Sequence, residues 1–236
     1  GYLKVDTTAT LLQIAQASGT ISSQLSSPVQ NISIDPSRPM IALTFDDGPH
    51  AKVTPQILEI LKQNQAKATF FVVGNRVDSY TDLIQREYME GHEIGNHTYS
   101  HPLLTNLSAD EVIYQTSQTD QRVAKLTSYT PKLLRPPYGA INTVMESNIQ
   151  KPFVLWSIDT LDWKTQNKTK ILNEVLGKVK DGDIILMHDL YPSTAEACAE
   201  LIPTLKAQGF QFVTVSELLA QKRITPVAGH AYHLAR

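Results

Sequence analysis

Two histidines four positions apart, His97 and His101, and two adjacent carboxylates, Asp46 and Asp47, are the residues of this chain best suited to hold a cation. If the histidines lie on a helix, one turn places both imidazoles on the same face, where they can share an ion. A lone pair of this kind is common on helix surfaces, so the nearby carboxylates carry more weight than the spacing. Two imidazoles and one carboxylate leave coordination positions open for water and substrate, which is the composition of a catalytic site and not of a structural one. Asp46 and Asp47 both offer that carboxylate. As strand neighbours they point to opposite sides unless the chain has already left the strand, and Gly48 and Pro49 provide such a departure. One carboxylate can then bind metal while the other stays free as a base.

These residues fall in two of five polar clusters, TFDDGP, GNHTYSH, RPPYG, SIDTLDW and LMHD, each closing an apolar run. Taken singly, an Asp-Asp-Gly is most often a turn and an Arg-Pro-Pro a rigid bend. Turn formation does not explain why all five also hold a titratable or oxyanion-type group. The elements that must carry them alternate. MIALTF reads as a first strand, TPQILEILKQNQ as a helix, ATFFVVG as a strand and DLIQREYMEG as a helix. HEIGNH, a long helix behind a Ser108 cap, KLLRPPYG, FVLWSID, the helix KILNEVLGKVKDG, DIILMHD, a helix through AEACAELIPTLKAQG, FQFVTV and SELLAQK complete the series. Strand and helix in alternation imply a parallel sheet with helices outside it. About seven strands predict a distorted α/β barrel over residues 39–222, with its active site at the carboxyl ends of the strands. Residues 1–38 read as an N-terminal appendage and linker, and 223–236 as a loose C-terminal tail.

Composition narrows the partners. A chain of 236 residues that is 42% hydrophobic can bury a full core as one domain. A formal net charge of -2 offers no basic patch for nucleic acid or anionic lipid, and a neutral sugar polymer is compatible with it. No apolar stretch is long enough to cross a bilayer, and a start at Gly1 suggests a processed or trimmed piece. The single cysteine, Cys198, excludes an internal disulfide framework and a thiolate cluster, and its helical surroundings predict a buried structural thiol.

In order from about Met40 to Leu219, TFDDGP, HTYSH, RPPYG, DTLDW and LMHD resemble the five motifs of the polysaccharide deacetylase family, carbohydrate esterase family four. The resemblance implies a (β/α) barrel in which Asp47, His97 and His101 bind a divalent metal, usually zinc, with cobalt or another transition metal as substitutes. It makes Asp46 the general base and His188 the general acid. Arg135 corresponds to the arginine that pairs with the base, and Asp162 to the carboxylate that orients the acid. Tyr138 would stabilise an oxyanion through its backbone N–H, and Trp163 and Leu186 would wall the acetyl methyl group, although plain core packing explains those two as well. The chemistry is consistent: a bound cation acidifies water and polarises a carbonyl, and an amine leaves well only when protonated, a task suited to a histidine. Asp159 is second choice to Asp162, Asp189 is expected in a turn, and His50 borders the cleft or faces solvent. His92, His230 and His233 show no partner pattern.

The expected activity is removal of N-acetyl groups from an N-acetylglucosamine-containing polysaccharide, peptidoglycan first and chitin-type oligomers next. An acetylxylan esterase is the alternative, because ester and amide pass through the same intermediate. A glycosidase fits poorly, since adjacent Asp46 and Asp47 cannot flank a glycosidic bond. A non-catalytic carbohydrate-binding barrel leaves the full set of catalytic types without a use. The expected partner is an acetylated polysaccharide met by a monomer, with no nucleic acid, and the substrate class places the protein outside the cell or at the wall. The segments KTQNKT and YPSTAEA are expected to border the cleft.

Overall fold

The computed structural model describes residues 33–236. The amphipathic run expected at the N-terminus lies outside the described residues. Eight short strands are seen among them: β1 Met40–Asp46, β2 Thr69–Val72, β3 Glu93–Asn96, β4 Phe153–Val154, β5 Ile158–Asp159, β6 Ile184–His188, β7 Gln211–Phe212 and β8 Ala231–Tyr232. The helices between and after them are α1 Val53–Gln63, α2 Gly74–Val77, α3 Thr81–Met89, α4 Ala109–Thr127, α5 Thr143–Asn148, α6 Asp162–Thr165, α7 Lys168–Val175, α8 Pro192–Ala207 and α9 Val215–Gln221.

The sheet runs β3-β2-β1-β6-β5, with β7 pairing the first residues of β1, and every ladder in it is parallel. Leu134 continues it by bridging Asn96 on one side and Phe153 on the other, which leads to the β4-β8 pair. This is the α/β barrel expected from the strand and helix alternation.

Period-two geometry on β1 decides what the barrel encloses. Ile41, Leu43 and Phe45 point outward, packing with Ile57, Leu58 and Leu61 of α1 and with Cys198, Leu201 and Ile202 of α8. Met40 and Ala42 belong to the other cluster, with Val154, Ile184 and Val213. Thr44 and Asp46 share their face, so Asp46 enters the barrel from the end of a strand buried along its whole length. Each fully buried Ile or Leu of this shell contributes on the order of 1.5–3 kcal/mol. Ser108 starts α4 as expected, in a capping box with Glu111. Cys198 is buried, and burial pushes its thiol pKa up, in keeping with a structural role.

The closing segment departs from expectation. Residues 223–236 are not a loose tail. Ala231 and Tyr232 pair with Phe153 and Val154, Leu155 N–H donates to Tyr232 O at 2.8 Å, and Ala235 N–H donates to Gly182 O at 2.8 Å. Ala235 is fully buried, and a Cβ on Gly182 (φ +87) would fall on the Ala235 carbonyl. Two-residue ladders leave no alternation to read, so a short strand looks like a tail. For the same reason FVLWSID is two strands separated by Leu155, Trp156 and Ser157.

Candidate active site

Strand register assembles the centre of the site. Asp46 lies opposite His188 in the β1–β6 ladder, so two neighbouring strands end side by side on polar residues, and Asp159, opposite Leu186 in the β5–β6 ladder, falls two residues short of that row. Arg135, itself fully buried, reaches Asp46 from the RPPYG segment: Nη1 donates to Asp46 Oδ1 at 2.8 Å and to Thr44 Oγ1 at 2.6 Å. Nε donates to Val154 O at 3.0 Å and Nη2 to Leu155 O at 2.8 Å, and the guanidinium lies 4.3 Å from the Phe71 ring centre. A buried guanidinium answered on every side holds its partner in one place.

Asp47 has already left the strand. Its φ of 72 puts it in the left-handed region, ahead of the cis Gly48–Pro49 peptide, so the two adjacent carboxylates diverge one residue earlier than the glycine suggests. A Cβ on Gly48 would strike the Asp189 carboxylate. Asp189 is buried, accepts a hydrogen bond from Thr54 Oγ1, and has its pKa pushed up to about 7 by burial.

His97 and His101 do not sit on a helix. Residues 97–101 form a loop beyond β3 in which Thr98 (φ 69) and His101 (φ 61) are both left-handed. The backbone reverses so tightly that the imidazole centres come within 4.9 Å. The spacing read as one helical turn is thus satisfied by a different backbone. His97 Nδ1 lies 2.7 Å from Arg135 O, an acceptor that requires the proton on Nδ1 and leaves the Nε2 lone pair facing Asp47.

Asp47 Oδ1 is 3.3 Å from His97 Nε2 and 3.2 Å from His101 Nε2. It is buried and yet makes no hydrogen bond among the described residues, so the contacts are close without being aligned. Asp47, His97 and His101 each offer a ligand atom within 4.8 Å of the others. An orphaned carboxylate oxygen converging with two imidazole lone pairs is a donor set that fits a divalent transition metal. Burial works against a charged His97, but Asp46 and Asp47 outweigh it and raise its pKa, whereas burial and then His97 lower that of His101.

Across the cleft, His188 Nδ1 is 2.8 Å from Asp162 Oδ1, and Asp162 also accepts from His188 N–H at 2.7 Å, Thr194 Oγ1 at 2.7 Å and Trp163 N–H at 2.8 Å. Burial disfavours the imidazolium. The hydrogen bond and charge of Asp162 overcome that, Asp46 and Asp47 add to them, and the pKa of His188 stands up at about 9.

A cleft of about 500 Å³ joins these groups, and Asp46, Asp47, His97, His101, Tyr138, Trp163, Leu186 and His188 all line it. Tyr138, left-handed at φ 63, is 68% exposed, and its ring meets that of His101 at 4.9 Å; Trp163 is 48% exposed, too open for plain core packing. Asp159, the second choice to Asp162, also lines the cleft, as do Pro136, Trp156 and Tyr191, which carried no signal strong enough to single them out. Tyr191 lies in YPSTAEA, the segment expected at the cleft. The KTQNKT stretch supplies no lining residue. His50 does not line the cleft either; its Nδ1 accepts the N–H groups of Lys52 and Val53 at the start of α1. His92 is a buried acceptor for Ala68 N–H, and burial takes its pKa down to about 4.

Among known proteins, a family model described as polysaccharide deacetylase matches residues 33–151. The chain is 46% identical over 190 residues to the peptidoglycan-N-acetylmuramic acid deacetylase PdaC of Bacillus subtilis, covering 80% of this chain and 41% of that protein. It is 45% identical over 182 residues to the peptidoglycan-N-acetylglucosamine deacetylase PgdA of Listeria monocytogenes, covering 77% of this chain and 39% of that protein. The chain therefore spans about two fifths of the length of these relatives. Its fold superimposes with a TM-score of 0.79, at 37% identity, on a family 4 acetyl xylan esterase from Clostridium thermocellum bound to a cobalt ion, covering 83% of this chain and 98% of that one.

Proposed function

The chain belongs to the polysaccharide deacetylase family, and from that premise we propose that it removes N-acetyl groups from N-acetylglucosamine units of a polysaccharide, peptidoglycan first, outside the cell or at the wall. One observation carries the reading: Asp47 Oδ1 and two imidazole nitrogens converge without hydrogen bonds to satisfy the oxygen, and a paired carboxylate and a paired histidine stand on either side. Asp47, His97 and His101 would hold the metal, zinc in the first instance. Bound there, a divalent ion supplies Lewis acidity, lowering the pKa of water and polarising an amide carbonyl.

The chain's own groups do the rest. Asp46, held in orientation by Arg135, accepts the proton of the attacking water. The Tyr138 N–H donates to the oxygen on which negative charge develops. Trp163 and Leu186 flank the acetyl methyl group. His188, its pKa raised to about 9, delivers its proton to the departing amine, and Asp162 holds the ring in the orientation for that transfer.

Acetate release tests the reading. Metal-stripped protein should release none, and added zinc should restore release from peptidoglycan or N-acetylated glucosamine oligomers. Preferential release from acetylxylan would transfer the activity to O-acetyl esters, and release from none of these polymers would overturn the proposal. Within that assay, Asp47→Ala, His97→Ala and His101→Ala should lose zinc and turnover together. Asp46→Asn should keep the zinc and lose turnover.

A further inference from the structure

We propose that Gln115, midway along α4 and outside all five polar clusters, is a positioning residue that sets His101 against the cation. This rests on the reading of Asp47, His97 and His101 as its ligands.

Beyond His97 the loop that carries both histidines has no ladder to hold it, so its amides must find acceptors elsewhere. His97 N–H donates to Val72 O at 3.0 Å, Thr98 N–H to Asn96 Oδ1 at 2.8 Å, and His101 N–H to Thr98 Oγ1 at 3.1 Å. The two amides between them, Tyr99 and Ser100, both donate to Gln115 Oε1 at 2.9 Å. Gln115 Nε2 in turn donates to Ser100 Oγ at 2.9 Å. One side-chain amide thus makes three hydrogen bonds to the two residues that precede His101.

What it holds is a conformation that these residue types rarely adopt. Thr98 and His101 are both left-handed, and a β-branched threonine is disfavoured there. The loop carbonyls are tied on the opposite side, Thr98 O accepting from Gly74 N–H at 2.9 Å and Tyr99 O from Asn75 N–H at 2.8 Å. Gln115 is therefore the α4 half of a two-sided clamp. Without it, Tyr99 and Ser100 can turn their N–H groups to water, and the peptide that places His101 is free to follow.

The clamp lies near the surface, Ser100 being exposed and Tyr99 and Gln115 half-buried, so breaking it strands no deeply buried group. Docking of α4 has other anchors: Asn96 Nδ2 donates to Thr116 O at 2.8 Å, and the Arg122 guanidinium lies 4.6 Å from the Tyr99 ring centre. Ligand geometry and fold stability can accordingly be separated by experiment. Loss of a group that orients a metal ligand typically weakens metal binding by about 10–100-fold.

The experiment titrates zinc into the full chain against a chromophoric chelator and records the thermal midpoint of the metal-free protein. Gln115→Leu should bind zinc about 10–100-fold more weakly, with the metal-free midpoint lowered by no more than about 4 °C. Gln115→Glu keeps an acceptor for both amides, and Ser100 Oγ can donate to its second oxygen, so wild-type affinity should return to within about threefold. Gln118→Leu, the same replacement elsewhere on α4, should leave affinity unchanged. Wild-type affinity in Gln115→Leu, failure of Gln115→Glu to restore it, or a larger fall in the metal-free midpoint would each overturn the positioning role. If the unmodified chain takes up no zinc, the metal reading itself falls and the role of Gln115 falls with it.

Discussion

Asp46 and Glu87 are two of several carboxylates almost wholly removed from water, and they are treated in opposite ways. Asp46, 3% exposed at the end of β1, is bonded by Arg135 inside the barrel. Glu87, 0% exposed on the inner face of α3 beside Ile84, has no hydrogen-bond partner for either oxygen among the described residues. Burial raises the pKa of Glu87 well above that of a free glutamate, and a charge on Asp189 pushes it further the same way. Burial alone therefore does not mark a working carboxylate; the donors arranged around it do. A paired group can keep its charge where chemistry needs it, whereas an unpaired one sheds its charge by holding a proton.

The largest effect should come from breaking the pair. Arg135→Met leaves Asp46 buried and unanswered and should lower unfolding free energy by about 3–5 kcal/mol, read by denaturant titration. Acetate release should fall to background. The sharper test is the double variant Arg135→Met with Asp46→Leu, which should regain most of the stability and none of the activity. If the double variant remains as unstable as the single one, the pair is not what distinguishes Asp46 from Glu87.

Next in size is the second paired carboxylate. Asp162→Asn keeps the shape of the side chain but removes the charge that holds His188 protonated. The pKa of His188 should drop from about 9 toward the ordinary histidine range. Because His188, as the proposed general acid, would work only while protonated, the alkaline limb of the pH-rate profile should move to lower pH. Turnover on an N-acetyl substrate should fall about 10–100-fold. An unmoved alkaline limb would remove Asp162 from its role.

The sequence made the first of these networks readable and left the second region obscure. Asp46, Asp47, Arg135, Asp162 and His188 each follow or close an apolar run, and strand ends are where barrels of this class gather reactive groups. Periodicity also gave β1, β6 and the main helices, because it reports burial along a single element. It cannot report partners. The β4-β8 pair is two residues long, the His97–His101 loop depends on left-handed residues and on Gln115, and Trp156 reaches the cleft from between two short strands. Each of these is fixed by contacts far apart in the chain. Glu87 is the inverse case: in DLIQREYMEG it reads as one more polar residue of an amphipathic helix, and only packing reveals that it faces inward.

That inward carboxylate gives the smallest expected effect and the only stabilising one. Glu87→Leu replaces an unsatisfied polar group with an apolar one of similar size, and should raise unfolding free energy at neutral pH by about 1–3 kcal/mol. The pH dependence follows from the direction of the shift. The folded protein keeps the Glu87 proton to a higher pH than the unfolded chain does. Its contribution is therefore fully present below the unfolded pKa and is lost as pH rises through the folded one. Wild-type stability should decline across that window relative to the leucine variant, and the two curves should draw together in acid. Acetate release should be unchanged, since Glu87 does not line the cleft. Parallel curves from acid to neutral pH would mean that Glu87 has a partner after all, and that the contrast with Asp46 is one of position and not of pairing.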